Sequence, residues 1–169
     1  FISDSTMEKV GASGHDVHLE LSTVTGRNAV TCSAVKDLVV SPMDDCGAKI
    51  RLPTTYSRLD IPADRHLIPR GETARQWPHL QDIADEIPPY MEDAEIGLLI
   101  GTNCGRAIKP REVRPGKDDD PWAVKTSLGW GIVGQTVQQD SDATCGCVRT
   151  VQDRQVCHFA FKTMVREIS

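Results

Sequence analysis

Between Trp122 and Ile132 the chain alternates without a break. Trp122, Val124, Thr126, Leu128, Trp130 and Ile132 hold the even positions, and Ala123, Lys125, Ser127, Gly129 and Gly131 the odd ones. A period of two places successive side chains on opposite faces of a strand, so the segment reads as one long strand with a single bulky face.

The same reading applies near the start of the chain. Val17, Leu19 and Leu21 oppose His18, Glu20 and Ser22, the pattern of a half-buried strand, and Thr25-Gly26-Arg27-Asn28 supplies a turn. The return segment from Ala29 to Val40 is rich in Val, Thr and Leu and stops at Ser41-Pro42, which predicts a hairpin with its tip near Gly26. A third strand, Ala48-Ile50-Leu52, follows the Asp44-Asp45-Cys46-Gly47 turn. Ahead of these, Ser5-Thr6-Met7-Glu8 reads as a capping box and Gly11 as the stop of a short helix.

Residues 53 to 76 hold Pro53, Pro62, Pro69 and Gly71 among charged residues and read as a surface loop. Trp77, Leu80, Ile83, Ala84 and Ile87 then recur at helical spacing, with Pro78 in the first turn and Pro88-Pro89 ending the run. Ile96 to Gly101 is the most continuously apolar stretch and predicts a strand buried on both faces. Beyond Gly134 the chain turns polar as far as Gln155, and strand character returns around Phe159 and Phe161. The expected organisation is one mostly β domain over 1–134 with one or two short helices, followed by an extended tail over 135–169.

Composition narrows the function classes. With 39% hydrophobic and 25% charged residues the chain is suited to a globular domain, and a net charge of -5 gives no basic field for a phosphate backbone, so no nucleic acid is expected as a partner. No stretch approaches the roughly 18 apolar residues of a membrane helix, and the first residues have neither the basic nor the apolar region of a signal peptide. An intracellular, cytoplasmic setting is expected, and there Cys32, Cys46, Cys104, Cys145, Cys147 and Cys157 are expected to stay reduced. The Phe1-Ile2 start and the Arg166-Glu167-Ile168-Ser169 end carry no start or stop signal and read as cuts in a longer polypeptide.

Several motifs fail on their context. Gly129-Trp130-Gly131-Ile132-Val133-Gly134 has the letters of a dinucleotide fingerprint, but no helical face follows it, so its glycines are read as close-packing positions of a strand. Cys145, Cys147, Cys157 and His158 offer soft ligands, yet one residue separates the first pair and none the second, against the two to four of a structural zinc site. Asp118-Asp119-Asp120 with Glu112 lacks the loop of a hard-cation site. The five histidines are scattered, and no Asp-Thr-Gly or Asp-Ser-Gly loop is present. No metal, no cofactor and no catalytic residue is assigned within these residues.

Three motifs taken together carry a resemblance. Trp77-Pro78-His79-Leu80, Ile96-Gly97-Leu98-Leu99-Ile100-Gly101 and Lys125-Thr126-Ser127-Leu128-Gly129-Trp130-Gly131-Ile132-Val133-Gly134 resemble, in order and spacing, the retropepsin-like aspartic peptidase segment of BEL/Pao retrotransposon polyproteins. The resemblance implies a closed, barrel-like retropepsin fold over 1–134, and a linker towards reverse transcriptase in the tail. It further implies that the catalytic Asp-Ser/Thr-Gly loop lies just upstream of Phe1. Thr23, Val24, Thr25, Gly26 and Arg27 would form the flap over a peptide or polyprotein substrate, and Leu99, Ile100 and Gly101 the support beneath the catalytic loop. Two copies would pair to complete the aspartate dyad. Residues 53–95 are an insertion relative to compact retroviral enzymes. The alternative function is a catalytically dead β-module that serves dimerisation or scaffolding.

Overall fold

The computed structural model describes residues 1–23, 26–43, 47, 49–63, 68–136 and 163–167. Strand β1 (Ile2–Ser3) runs directly into helix α1 (Asp4–Lys9). Ser3, not Ser5, caps this helix: its hydroxyl accepts the Thr6 backbone N–H at 3.2 Å, and the Ser5 hydroxyl instead donates to Glu95. Gly11, at φ 68, supplies the left-handed residue that ends it.

Strands β2 (Gly14–Thr23) and β3 (Gly26–Val35) form an uninterrupted antiparallel hairpin in which Thr23 already pairs with Gly26. Gly26 begins the return strand, in keeping with a hairpin tip near it. The return segment is not one strand. It breaks at Asp37, a non-glycine residue at φ 62, whose carboxylate accepts a hydrogen bond from Arg51 at 2.8 Å. β4 (Leu38–Pro42) then enters a second sheet with β5 (Ile50–Arg51).

The predicted loop over 53–76 contains two elements that the prolines obscured. β6 (Thr55–Arg58) is a central strand with Thr55 and Ser57 buried, and α2 (Gly71–Arg75) precedes a 3-10 helix over Pro78–Glu86. Pro88 holds Ile87 in an extended conformation and stops that helix. A 3-10 turn, Thr102–Cys104, leads into α3 (Gly105–Ile108), and β7 (Glu112–Arg114) follows.

The alternating segment folds back on itself. β8 (Trp122–Thr126) and β9 (Gly129–Val133) pair antiparallel from Trp122↔Val133 to Thr126↔Gly129, with Gly129 at φ 118 beside the turn. Trp130 and Ile132 consequently share a face with Ala123 and Lys125, and the bulky face expected of a single strand is split between two. The fingerprint glycines Gly129 and Gly131 lie within strand β9. The last described strand, β10 (Thr163–Glu167), pairs antiparallel with β4.

The architecture is mostly β with a few short helices. The described strands make three sheets, in the orders β1-β6-β3-β2, β10-β4-β5 and β7-β8-β9, and none of them closes into the expected barrel. Two hydrophobic cores result. Ile2, Val35, Leu38, Val40, Ile50, Leu52, Ala107 and Leu128 belong to the first. Trp77, Leu80, Ile83, Ala84, Ile87, Ala123, Trp130 and Ile132 belong to the second. In the second core the 3-10 helix presents its expected apolar face to β8 and β9. His79 Nε2–H donates to the Pro121 carbonyl at 2.8 Å, and Trp130 Nε1–H and Lys125 Nζ both donate to Glu86, at 3.1 and 2.9 Å. No helix among the described residues is long and apolar enough to cross a membrane.

Candidate functional site

β1 is short but is held from both sides. It pairs in parallel with β6, Ile2 opposite Ser57 and Ser3 opposite Arg58. Along its other edge it meets residues 97–99 antiparallel, through a bridge between Ile2 and Leu98. The Phe1 amine donates to the Leu99 carbonyl at 2.8 Å, Leu99 N–H returns to the Phe1 carbonyl at 2.9 Å, and Ser3 N–H donates to the Gly97 carbonyl at 2.8 Å. Burial lowers the pKa of that amine below its ordinary value. Ile2 is completely buried. Gly97 permits the close approach, because a Cβ there would stand 1.9 Å from Thr6 Oγ1.

The support element differs from the expectation of a strand buried on both faces. Leu98 forms only the single bridge, Leu99 is 48% exposed, and Ile100 packs against the first core. Gly101, still extended, leads into the 3-10 turn at Thr102–Cys104.

Of the expected flap, Val24 and Thr25 lie outside the described residues. The backbone of Thr23 closes the ladder against Gly26, and Arg27 is an exposed residue paired with Glu20 at 3.4 Å. The sheet order puts Leu99 and the hairpin at opposite edges, with β1 and β6 between the 97–99 segment and β3. The structure thus leaves Arg27 and Leu99 apart within one copy.

A cleft unforeseen from the sequence lies within the first sheet. β3 pairs with β6 only at Ala34↔Tyr56 and Val35↔Thr55, and the Ser33 N–H then bonds to the Ser57 hydroxyl at 3.1 Å instead of to backbone. Where the pairing ends, a cleft of about 380 Å³ is lined by Asp4, Val30, Thr31, Ser57, Arg58 and Leu59. A carboxylate, a guanidinium and two hydroxyls line it alongside Val30 and the 87% exposed Leu59. Asp4 and Arg58 are isolated in the sequence, and the only available signal was the β-forming Thr55-Tyr56 pair between prolines.

The remaining candidates are tied into local structure. Asp120 accepts the Lys117 N–H at 2.9 Å, Glu112 pairs with Arg114, and His18 Nδ1 lies 3.0 Å from the Thr31 hydroxyl. Among the described residues no group of three His, Cys, Asp or Glu side chains is placed to hold a metal ion. Cys145, Cys147, Cys157 and His158 lie outside the described residues. No family model matches the chain, and no curated protein or solved structure matches it.

Proposed function

We propose that this chain is part of a retropepsin-like aspartic peptidase domain of a BEL/Pao-type retrotransposon polyprotein, cytoplasmic and acting on peptide bonds of the polyprotein itself. The observation that carries the reading is the antiparallel register of Phe1 and Leu99. Continued by one and two residues, that register would bring an upstream segment beside Ile100 and Gly101. The resemblance assigns those positions to the apolar-apolar-Gly element beneath a catalytic Asp-Ser/Thr-Gly loop.

In this reading the loop belongs to the longer polypeptide, and two copies contribute one aspartate each. One carboxylate takes a proton from water as it adds to the scissile carbonyl; the other, protonated, stabilises the oxygen that develops negative charge. Proton transfer to the amide nitrogen then lets the C–N bond break. The residues described here hold the loop rather than react, and no cofactor enters.

A peptide with a hydroxyl-bearing isostere in place of the scissile bond mimics the tetrahedral transition state and tests the reading by binding. It should raise the Tm of the polypeptide extended upstream of Phe1 and leave the Tm of its Asp→Asn variant unchanged. An equal rise in both would remove the aspartate from the account.

A further inference from the structure

The hairpin's outer strand carries a second, independent feature. β2 stands at the end of the β1-β6-β3-β2 sheet, and its ladder with β3 runs from Gly14↔Val35 to Thr23↔Gly26 without a bulge. Among the described residues nothing pairs with its other edge, which offers a long straight row of backbone donors and acceptors. Natural edge strands are usually blunted by charged side chains, above all Lys, by Pro or by a bulge; the β2 sequence Gly-His-Asp-Val-His-Leu-Glu-Leu-Ser-Thr has no Lys, no Pro and no bulge, and its charged residues are Asp16 and Glu20. Its apolar residues Val17, Leu19 and Leu21 are only half-buried, beside half-buried Val30, so one face of the ribbon keeps apolar surface in water. A two-stranded ribbon is marginal alone and gains from a third and fourth strand.

We infer that β2 pairs antiparallel with β2 of a second copy of this chain, about a two-fold axis through Leu19, so that the two sheets become one. The side chains select this register. With Leu19 opposite Leu19, Val17 faces Leu21 twice, His18 faces Glu20 twice and Asp16 faces Ser22 twice. Apolar meets apolar on one face, and no like charges meet on the other. Centring on His18 sets Asp16 against Glu20 twice, and centring on Glu20 sets that carboxylate against its own copy; both oppose like charges. Centring on Val17 sets His15 against Leu19 and loses the apolar match. Glu20 already sits 3.4 Å from Arg27 of its own hairpin, and His18 bonds Thr31, so both side chains stand on the exposed face that the partner would reach. The inference does not rest on peptidase activity, because β2 and the 97–99 segment occupy opposite edges of the sheet.

The test uses the full chain in sedimentation equilibrium. The expected result is a monomer–dimer equilibrium that His18→Glu weakens by about tenfold or more, since it sets two carboxylate pairs face to face, and that the double exchange His18→Glu with Glu20→His restores. Both positions are exposed, and circular dichroism checks that each variant keeps its fold. Leu19→Cys reads the register: the two introduced thiols would have Cβ atoms about 4.5–5.5 Å apart across the axis. Under mild oxidation mass spectrometry should find this variant disulfide-linked to its own copy through position 19 well before Glu20→Cys links through position 20. A monomer at every concentration overturns the proposal, as does a dimer indifferent to the charge exchange or one cross-linked first through position 20.

Discussion

Phe1 and Leu99 exchange both of their backbone hydrogen bonds, at 2.8 and 2.9 Å, although they lie 98 positions apart in sequence. This pair closes one edge of the main sheet, and the fold brings it about through Gly97, where α1 and the 97–99 segment approach too closely for a side chain.

Gly97→Ala should therefore destabilise the protein by about 1–3 kcal/mol, the usual cost of an atom forced into a packed contact. Adding Thr6→Ala should recover part of that loss, because Thr6 is what the new methyl meets. Urea denaturation measures both; an unchanged midpoint for the single variant would remove the constraint.

The two hydrophobic clusters predict additivity. Leu38 and Leu80 are 1% and 0% exposed and belong to different cores, so Leu38→Ala and Leu80→Ala should each cost about 2–5 kcal/mol. The double variant should lose the sum to within about 0.5 kcal/mol. A coupling well above that would mean the cores pack as one.

Glu86 holds two donors of the second sheet, Trp130 Nε1 and Lys125 Nζ. Its side chain is 53% exposed, so the ion pair with Lys125 contributes little, whereas the indole donor belongs to a residue that is 3% exposed. Glu86→Ala should cost about 1 kcal/mol, chiefly by removing the acceptor of that indole, and should shift the tryptophan emission. Lys125→Met, which keeps the acceptor, should cost less in the same denaturation experiment.

Burial pushes the Cys32 thiol above its ordinary value; the nearby Arg58 opposes that, and Asp16 and Asp4 add to it. The folded protein favours the neutral thiol. This contribution to stability is full below the thiol's ordinary pKa and declines as pH rises beyond it. Iodoacetamide should accordingly label Cys32 at least about tenfold more slowly in the native protein than in urea at pH 8. Peptide mapping that found equal rates would contradict its burial.

The β class and several elements are legible in the sequence, and the failures have physical causes. The alternation from Trp122 to Ile132 hides a hairpin because a two-residue turn pairs residue 126 with 129, an odd offset: the period of two continues through the turn while the faces exchange. β6 escapes notice because four strand residues between Pro53 and Pro62 look like loop until Tyr56 and Thr55 are seen to pair with Ala34 and Val35. The Ala29–Val40 run looks continuous because Asp37 adopts its positive φ with help from Arg51, a long-range partner that local propensity does not register. The apolar face of residues 77–87 is plain from its spacing, but its destination, β8 and β9, needs the three-dimensional structure. The cleft beside Asp4 and Arg58 has no linear signature, since its walls come from three separated segments.

The most direct test of the central claim is cleavage of polyprotein-derived peptides at mildly acidic pH by the polypeptide extended upstream of Phe1, beside its Asp→Asn variant and the chain described here. Cleavage by the extended form alone is the predicted result. Cleavage by the present chain or by the Asp→Asn variant would contradict it, and silence from the extended form would leave the chain a β-module of association rather than catalysis.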